Sequence, residues 1–246
     1  AACPKHFLAY GMTNSGQDRT PAYVSIAELK EKHFAPFKAA VEAGALSIMV
    51  NSASVNGIPT HADHELLTVW LKEGLGWDGV IVSDWSDVPN LYSRERIAED
   101  YKEAIVAAVN AGMDMAMIPY DLRFCTYLIE AVNEGLVSEE RVTDAAERVV
   151  RMKARLGLLD TPNTYVADYP KFQGEEIREA AYTSATESIT LLKNNNNILP
   201  IKRGAKVLVT GPNANKMRPL CGGWSFSWQG DIVDQRLPEG MTFYKA

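Results

Sequence analysis

The run Val80-Ile81-Val82, entered through Gly79, has no polar position and so no face to give to water. Such a segment suits a strand buried on both sides, inside a parallel sheet covered by helices. It stops abruptly in Ser83, Asp84 and Trp85: a hydroxyl, a carboxylate and an indole. In barrels of parallel strands, the C-terminal strand ends carry the active site. A carboxylate there can attack an anomeric carbon, and an indole beside it can stack on the apolar face of a pyranose. Taken alone, Asp84 also reads as a helix cap, a common use of aspartate after a strand.

The neighbouring pattern alternates strand and helix. Residues 45–51 and 113–118 read as further buried strands, and the chain start through Lys5 and His6 as the end of another. Ser25-Ile26-Ala27-Glu28 has the form of a capping box and opens a helix toward Gly44. Leu66, Leu67, Trp70 and Leu71 have helical spacing and stop near Gly74. Ala98, Tyr101, Ile105, Ala108 and Val109 make a third apolar face, closed near Gly112. A fourth helix covers 122–134, and Ser138 caps a fifth with Val142, Ala145, Val149, Met152 and Leu156 as its inner stripe. Roughly four βα units result, whereas a closed barrel needs eight.

The fold expected is therefore α/β. Residues 1–160 read as the C-terminal portion of a (β/α)8 TIM-type barrel, its remainder preceding residue 1. Residues 161–175 mix proline, polar and aromatic residues without a period and read as a linker. Residues 176–246 read as the start of an α/β sandwich domain. Its parts are a helix over 175–192, a four-asparagine turn, a first strand at Lys206–Thr210, and a pattern that breaks off at Met241–Tyr244.

Charge narrows the choice of partner. The net charge is -6, with both signs interspersed, and no basic patch offers a footprint for nucleic acid. No apolar run reaches membrane-spanning length, and no signal peptide opens the chain. Cys3, Cys125 and Cys221 lie far apart, without metal-ligand spacing, and read as small buried side chains or free thiols. Gly211-Pro212-Asn213-Ala214-Asn215 follows a strand pattern but lacks the glycine spacing and the Gly-Lys-Ser/Thr ending of phosphate loops.

Several other residues could carry chemistry. Lys5 and His6 offer a cation and an imidazole to sugar hydroxyls, and Lys5 would favour the ionised form of a nearby carboxylate. Taken alone, the pair reads first as a solvated lysine beside a packed histidine. Arg19 reads as a loop ion pair, and Asn56-Gly57-Ile58-Pro59 as a tight turn shaping the mouth of a site. Asp87, the rival carboxylate, reads as a cap or ion-pair partner. Asp114 sits in a strand pattern and needs a partner if buried. Cys221 to Gly230 holds Trp224 and Trp228 among glycines, an aromatic loop suited to carbohydrate or to anchoring an interface.

Together these segments resemble glycoside hydrolase family 3, in its β-glucosidase and exo-β-glucanase branch. The resemblance rests on Lys5-His6-Phe7, Gly79 to Trp85, Ala111 to Met115, Ser188 to Asn194, Leu199-Pro200 and Cys221 to Gly230, in that order. It implies a barrel followed by an α/β sandwich, with the site between them. It implies Asp84 as catalytic nucleophile, Lys5 and His6 as ligands of the nonreducing-end glucose, and Trp85 and Trp228 flanking the next sugar. It places the acid/base glutamate beyond residue 246 and further sugar ligands before residue 1, so that the chain is a central fragment with little activity alone. The substrates implied are β-linked gluco-oligosaccharides or aryl and alkyl β-glucosides, without metal or cofactor, and the location periplasmic or secreted. Many members carry a tyrosine where Asn51-Ser52 stands here. The stretch Leu8 to Arg19 lacks the histidine of the N-acetylglucosaminidase branch. Two other classes stay open: a noncatalytic sugar-binding protein on the same scaffold, and an aldolase-type barrel using Lys5 as a Schiff base.

Overall fold

Four backbone segments lie side by side and parallel in the computed structural model of the protein, which describes residues 1–237. β1 (Ser47–Met49) and β4 (Val80–Val82) form the central pair, with Ile48 opposite Ile81. Phe7 bridges Val50 on one side, and Met115 bridges Val82 on the other. The ladder runs through Phe7 N to Met49 O at 2.8 Å, Val50 N to Val82 O at 2.9 Å, and Ser83 N to Met115 O at 2.9 Å. Val80, Ile81 and Val82 are all buried, as their lack of a polar face requires. The outer segments are single bridges rather than regular strands. An α/β arrangement results; its two regular parallel strands do not close a barrel.

Local chemistry sets the helix limits. The Ser25 hydroxyl accepts from Glu28 N at 3.2 Å and starts α1 (Ile26–Glu28). A π-helical stretch, Leu29–Phe34, leads into α2 (Ala35–Glu42), where Pro36 has no N–H to continue the regular ladder. A second π-helix spans Glu65–Glu73. α3 (Asp87–Ser93) follows β4, and α4 (Tyr101–Ala111) starts at the Asp100 cap and ends at Gly112. Gly112 has φ +121°, and a Cβ there would lie 2.4 Å from the Thr68 hydroxyl, so only glycine fits. α5 (Arg123–Asn133) and α6 (Glu139–Arg155, capped by Ser138) complete this half. Of the expected inner stripe of α6, Val142, Ala145, Val149 and Met152 are half-buried and Leu156 is exposed. Val142, Ala145 and Val149 line an apolar hollow of about 330 Å³ with Phe124 and Leu128.

Asp114 finds the partners its burial demands. One of its oxygens accepts from Lys72 Nζ at 2.7 Å and Arg141 Nη2 at 2.6 Å, and the other from Ile81 N at 2.9 Å. Burial pushes Lys72 down to about 8, against the pull of Asp114. The cluster ties the second π-helix and α6 to the sheet, a structural role. Removing one member of such a buried set costs about 3–5 kcal/mol.

The chain divides into two compact units, Ala1–Asp168 and Tyr169–Ala246. In the second, α7 covers Glu175–Ser188, ending before the expected Leu192. The Asn194 side chain closes the asparagine turn by donating to Leu199 O and accepting from Leu199 N. Lys206–Thr210 is not a strand, contrary to its pattern, since no described segment pairs with it. The expected break at Met241–Tyr244 lies outside the described residues. The cysteines are free thiols; Cys125 and Cys221 are exposed rather than buried.

Candidate active site

Asp84 leaves the C-terminal end of β4 and is held by hydrogen bonds at three atoms. Ser83 is fully buried; its hydroxyl accepts from Met117 N at 2.7 Å and donates to Asp84 O at 2.9 Å. Asp84 N donates to His61 Nε2 at 3.0 Å. Trp85 N donates to Asp84 Oδ1 at 2.6 Å. The second carboxylate oxygen, Oδ2, faces His6 Nε2 at 3.8 Å. The Asp84 side chain keeps 13% exposure, enough to meet a ligand from one side.

His6 arrives from the segment beside β1. Burial pushes its pKa down, Asp84 pulls it up and the neighbouring Lys5 pushes it down again. Its ring lies against Tyr10, with centroids 4.6 Å apart. The Tyr10 hydroxyl donates to Asp18, which raises the phenol's pKa. Arg19 Nε stands 3.7 Å from Asp18, the loop ion pair its position suggests. Lys5 is exposed. Trp85 is half exposed and meets Tyr120 edge to face at 6.0 Å, a second ring that sequence reasoning did not single out. Trp228 belongs to the second unit, where its carbonyl accepts from Trp224 N and the residue is 56% exposed. The first unit thus gathers Asp84, His6 and Trp85, with Lys5 next to His6.

The hairpin β2 (Ser54–Val55) to β3 (Ile58–Pro59) turns through Asn56 and Gly57, both at positive φ. The Asn56 side chain does local work: it accepts from Val24 N at 2.9 Å and donates to Val24 O at 2.8 Å. Asn51 is fully buried and donates to Leu8 O at 2.8 Å, while Arg94 donates to Ser52 O. These two residues brace loops through their contacts with Leu8 O and Arg94.

His61 was not legible as a site residue. The signal available was the Asn-Gly turn, which sends the chain back so that His61 reaches the Asp84 backbone. Its ring is buried, and burial pushes its pKa down against the pull of Asp87 and Asp84. Asp87 is equally buried; Asn90 donates to its Oδ1 at 2.6 Å, and Arg94 Nη1 lies 3.7 Å from the same oxygen. Of the two readings of Asp87 from the sequence, cap or ion-pair partner, the structure shows the ion pair.

Against known families, residues 1–152 match the glycosyl hydrolase family 3 N terminal domain. This chain belongs to glycosyl hydrolase family 3. The family 3 chain is 41% identical over 243 residues to the lysosomal beta glucosidase of Dictyostelium discoideum, covering 97% of itself and 30% of that protein. It is 34% identical to a beta-xylosidase of Formosa agariphila, over 91% of this chain and 33% of the relative. With the periplasmic beta-glucosidase of Salmonella typhimurium it shares 32% identity, over 90% of this chain and 29% of that one. Among solved structures, the exo-1,3/1,4-beta-glucanase of a Pseudoalteromonas species superposes with a TM-score of 0.80 at 34% identity, over 96% of this chain and 29% of that one. The chain therefore spans about a third of the length of the curated relatives it matches. Among the described residues, no helix is long and apolar enough to cross a membrane.

Proposed function

We propose that this chain carries the nucleophile half of a retaining β-glucosidase acting at the nonreducing end of β-glucosides or β-glucan oligosaccharides. The observation that carries the reading is the Asp84 carboxylate at the end of β4, one oxygen held by Trp85 N and the other facing His6 at 3.8 Å. With Oδ1 so held, Oδ2 attacks the anomeric carbon and forms an ester. The glycosidic C–O bond breaks, its electron pair leaves on the aglycone oxygen, and a glutamate outside residues 1–246 protonates that oxygen. The same glutamate then takes a proton from water, which attacks the anomeric carbon and releases Asp84. Retention requires the two carboxyl groups about 5–5.5 Å apart.

In this reading Lys5 and His6 bind sugar hydroxyls, Trp85 provides a stacking face for the next sugar, and Trp228 provides another from the second unit. Residues 1–160 are then the C-terminal part of a barrel, 161–175 a linker and 176–246 the start of a sandwich domain. The beta-glucosidase and glucanase relatives favour glucose, and the beta-xylosidase relative makes xylose the sugar to compare. The lysosomal and periplasmic relatives favour a location outside the cytoplasm. Alone, the chain should turn over substrate poorly, since the acid/base lies elsewhere.

The test is trapping of the complete protein with a 2-deoxy-2-fluoro glucoside, followed by peptide mass mapping. The label is expected on the peptide containing Asp84. A label on another carboxylate overturns the assignment.

A further inference from the structure

His61 reaches Asp84 from 23 residues away and from outside the sheet. Its Nε2 accepts the Asp84 N–H at 3.0 Å, so the ring's proton sits on Nδ1. That Nδ1 faces Asp87 Oδ2 at 4.0 Å. Asp87 Oδ2 is buried and has no hydrogen-bond partner among the described residues, an orphan toward which a donor on His61 Nδ1 points. Both side chains are almost wholly out of water, at 4% and 1% exposure. If the proton moved to Nε2, two donors would oppose each other at the Asp84 backbone. Asp84 would then shift, and a nucleophile misplaced by about 1 Å can lose about 100-fold in rate.

We propose that His61 is a positioning residue for Asp84, holding its backbone N–H through an unprotonated Nε2, with Asp87 fixing the ring in the Nδ1–H form. The kinetic part rests on the nucleophile reading above; the tautomer does not. This is the arrangement by which a carboxylate orients a catalytic or metal-binding imidazole, applied here to a backbone amide.

Two measurements on the complete protein separate the parts. Long-range ¹H–¹⁵N spectra of the ¹⁵N-labelled protein should show His61 protonated at Nδ1 and bare at Nε2. A proton on Nε2 overturns the inference whatever the enzyme's activity. In kinetics on an aryl β-glucoside, His61→Met keeps the volume but loses the acceptor, and kcat should fall about 10- to 100-fold with KM nearly unchanged. His61→Gln restores an acceptor oxygen and should recover most of that loss. Equal losses in both variants, or a loss carried by KM, overturn the positioning role. Asp87→Asn can donate to Nδ1 and invert the tautomer; its effect on kcat should vanish in the His61→Met background. If His61→Met does not fold, the spectra and Asp87→Asn, which should move the proton to Nε2, still decide. Absence of turnover and of trapping with the Nδ1–H form intact would sink the nucleophile reading and leave the tautomer standing.

Discussion

Val80-Ile81-Val82 and Val207-Leu208-Val209 are nearly the same tripeptide, and they end in opposite environments. The first is buried, paired on both edges and covered by helices. The second is unpaired among the described residues, with Leu208 at 87% exposure. The contrast extends to the units that hold them. Phe7, Ile48, Leu67 and Ile105 are fully buried in the first, whereas Val233 is the one buried hydrophobic side chain among the described residues of the second. An apolar run states a demand for burial, and neighbours decide whether the demand is met.

The sharpest way to break this comparison is through activity. Asp84→Asn in the complete protein should lower kcat by about 10⁴-fold or more, since the bond-forming oxygen pair is lost. Trp228→Ala, in the second unit, should cost about tenfold or less and appear mainly in KM, the scale of one stacking contact. Steady-state kinetics on an aryl β-glucoside read both, and a larger loss at Trp228 than at Asp84 would reverse the assignment of roles.

Stability should follow the same division. Ile81→Ala removes a fully buried side chain and should destabilise the chain by about 2–5 kcal/mol. Leu208→Ala should stay within about 0.5 kcal/mol. Urea unfolding of the chain measures both, and similar costs would mean that Leu208 is packed.

The smallest effect separates the units by pH. All four histidines lie in the first unit. Burial holds His6 and His61 below their ordinary 6.5, so they stay neutral in the fold where the unfolded chain takes up protons. The unfolded state then binds more protons, and stability falls as pH drops from about 6.5 through the folded pKa values. For His61 the slope reaches at most about 1.4 kcal/mol per pH unit. Urea midpoints at pH 7, 6 and 5 should show the loss, and His61→Met should flatten it. A midpoint that rises toward pH 5 would contradict the burial of these rings.

Much of the first unit was legible because its signals are local. Ser25, Ser138 and Gly112 mark helix limits by capping and backbone freedom, and those limits appear where the residues predict them. Asp114 announced a need for partners but not which ones, since Lys72 and Arg141 come from helices 42 and 27 residues away. His61 was illegible for the same reason. Its role depends on a hydrogen bond spanning 23 residues, and the nearby Asn56-Gly57 turn marks a reversal of the chain but not the partner that His61 meets.

By itself, the sequence determined the alternation of strand and helix, the buried nature of Val80–Val82, and the placement of a carboxylate and an indole directly after them. These follow from periodicity and from short-range hydrogen bonding, which need only adjacent residues. Tertiary structure alone decided that His6 and His61 flank Asp84 and that Asp87 backs His61. It also decided that Val207–Val209 has no described strand beside it. Such outcomes depend on which distant segments meet, and a polar group's partner or an apolar run's cover exists only once they do.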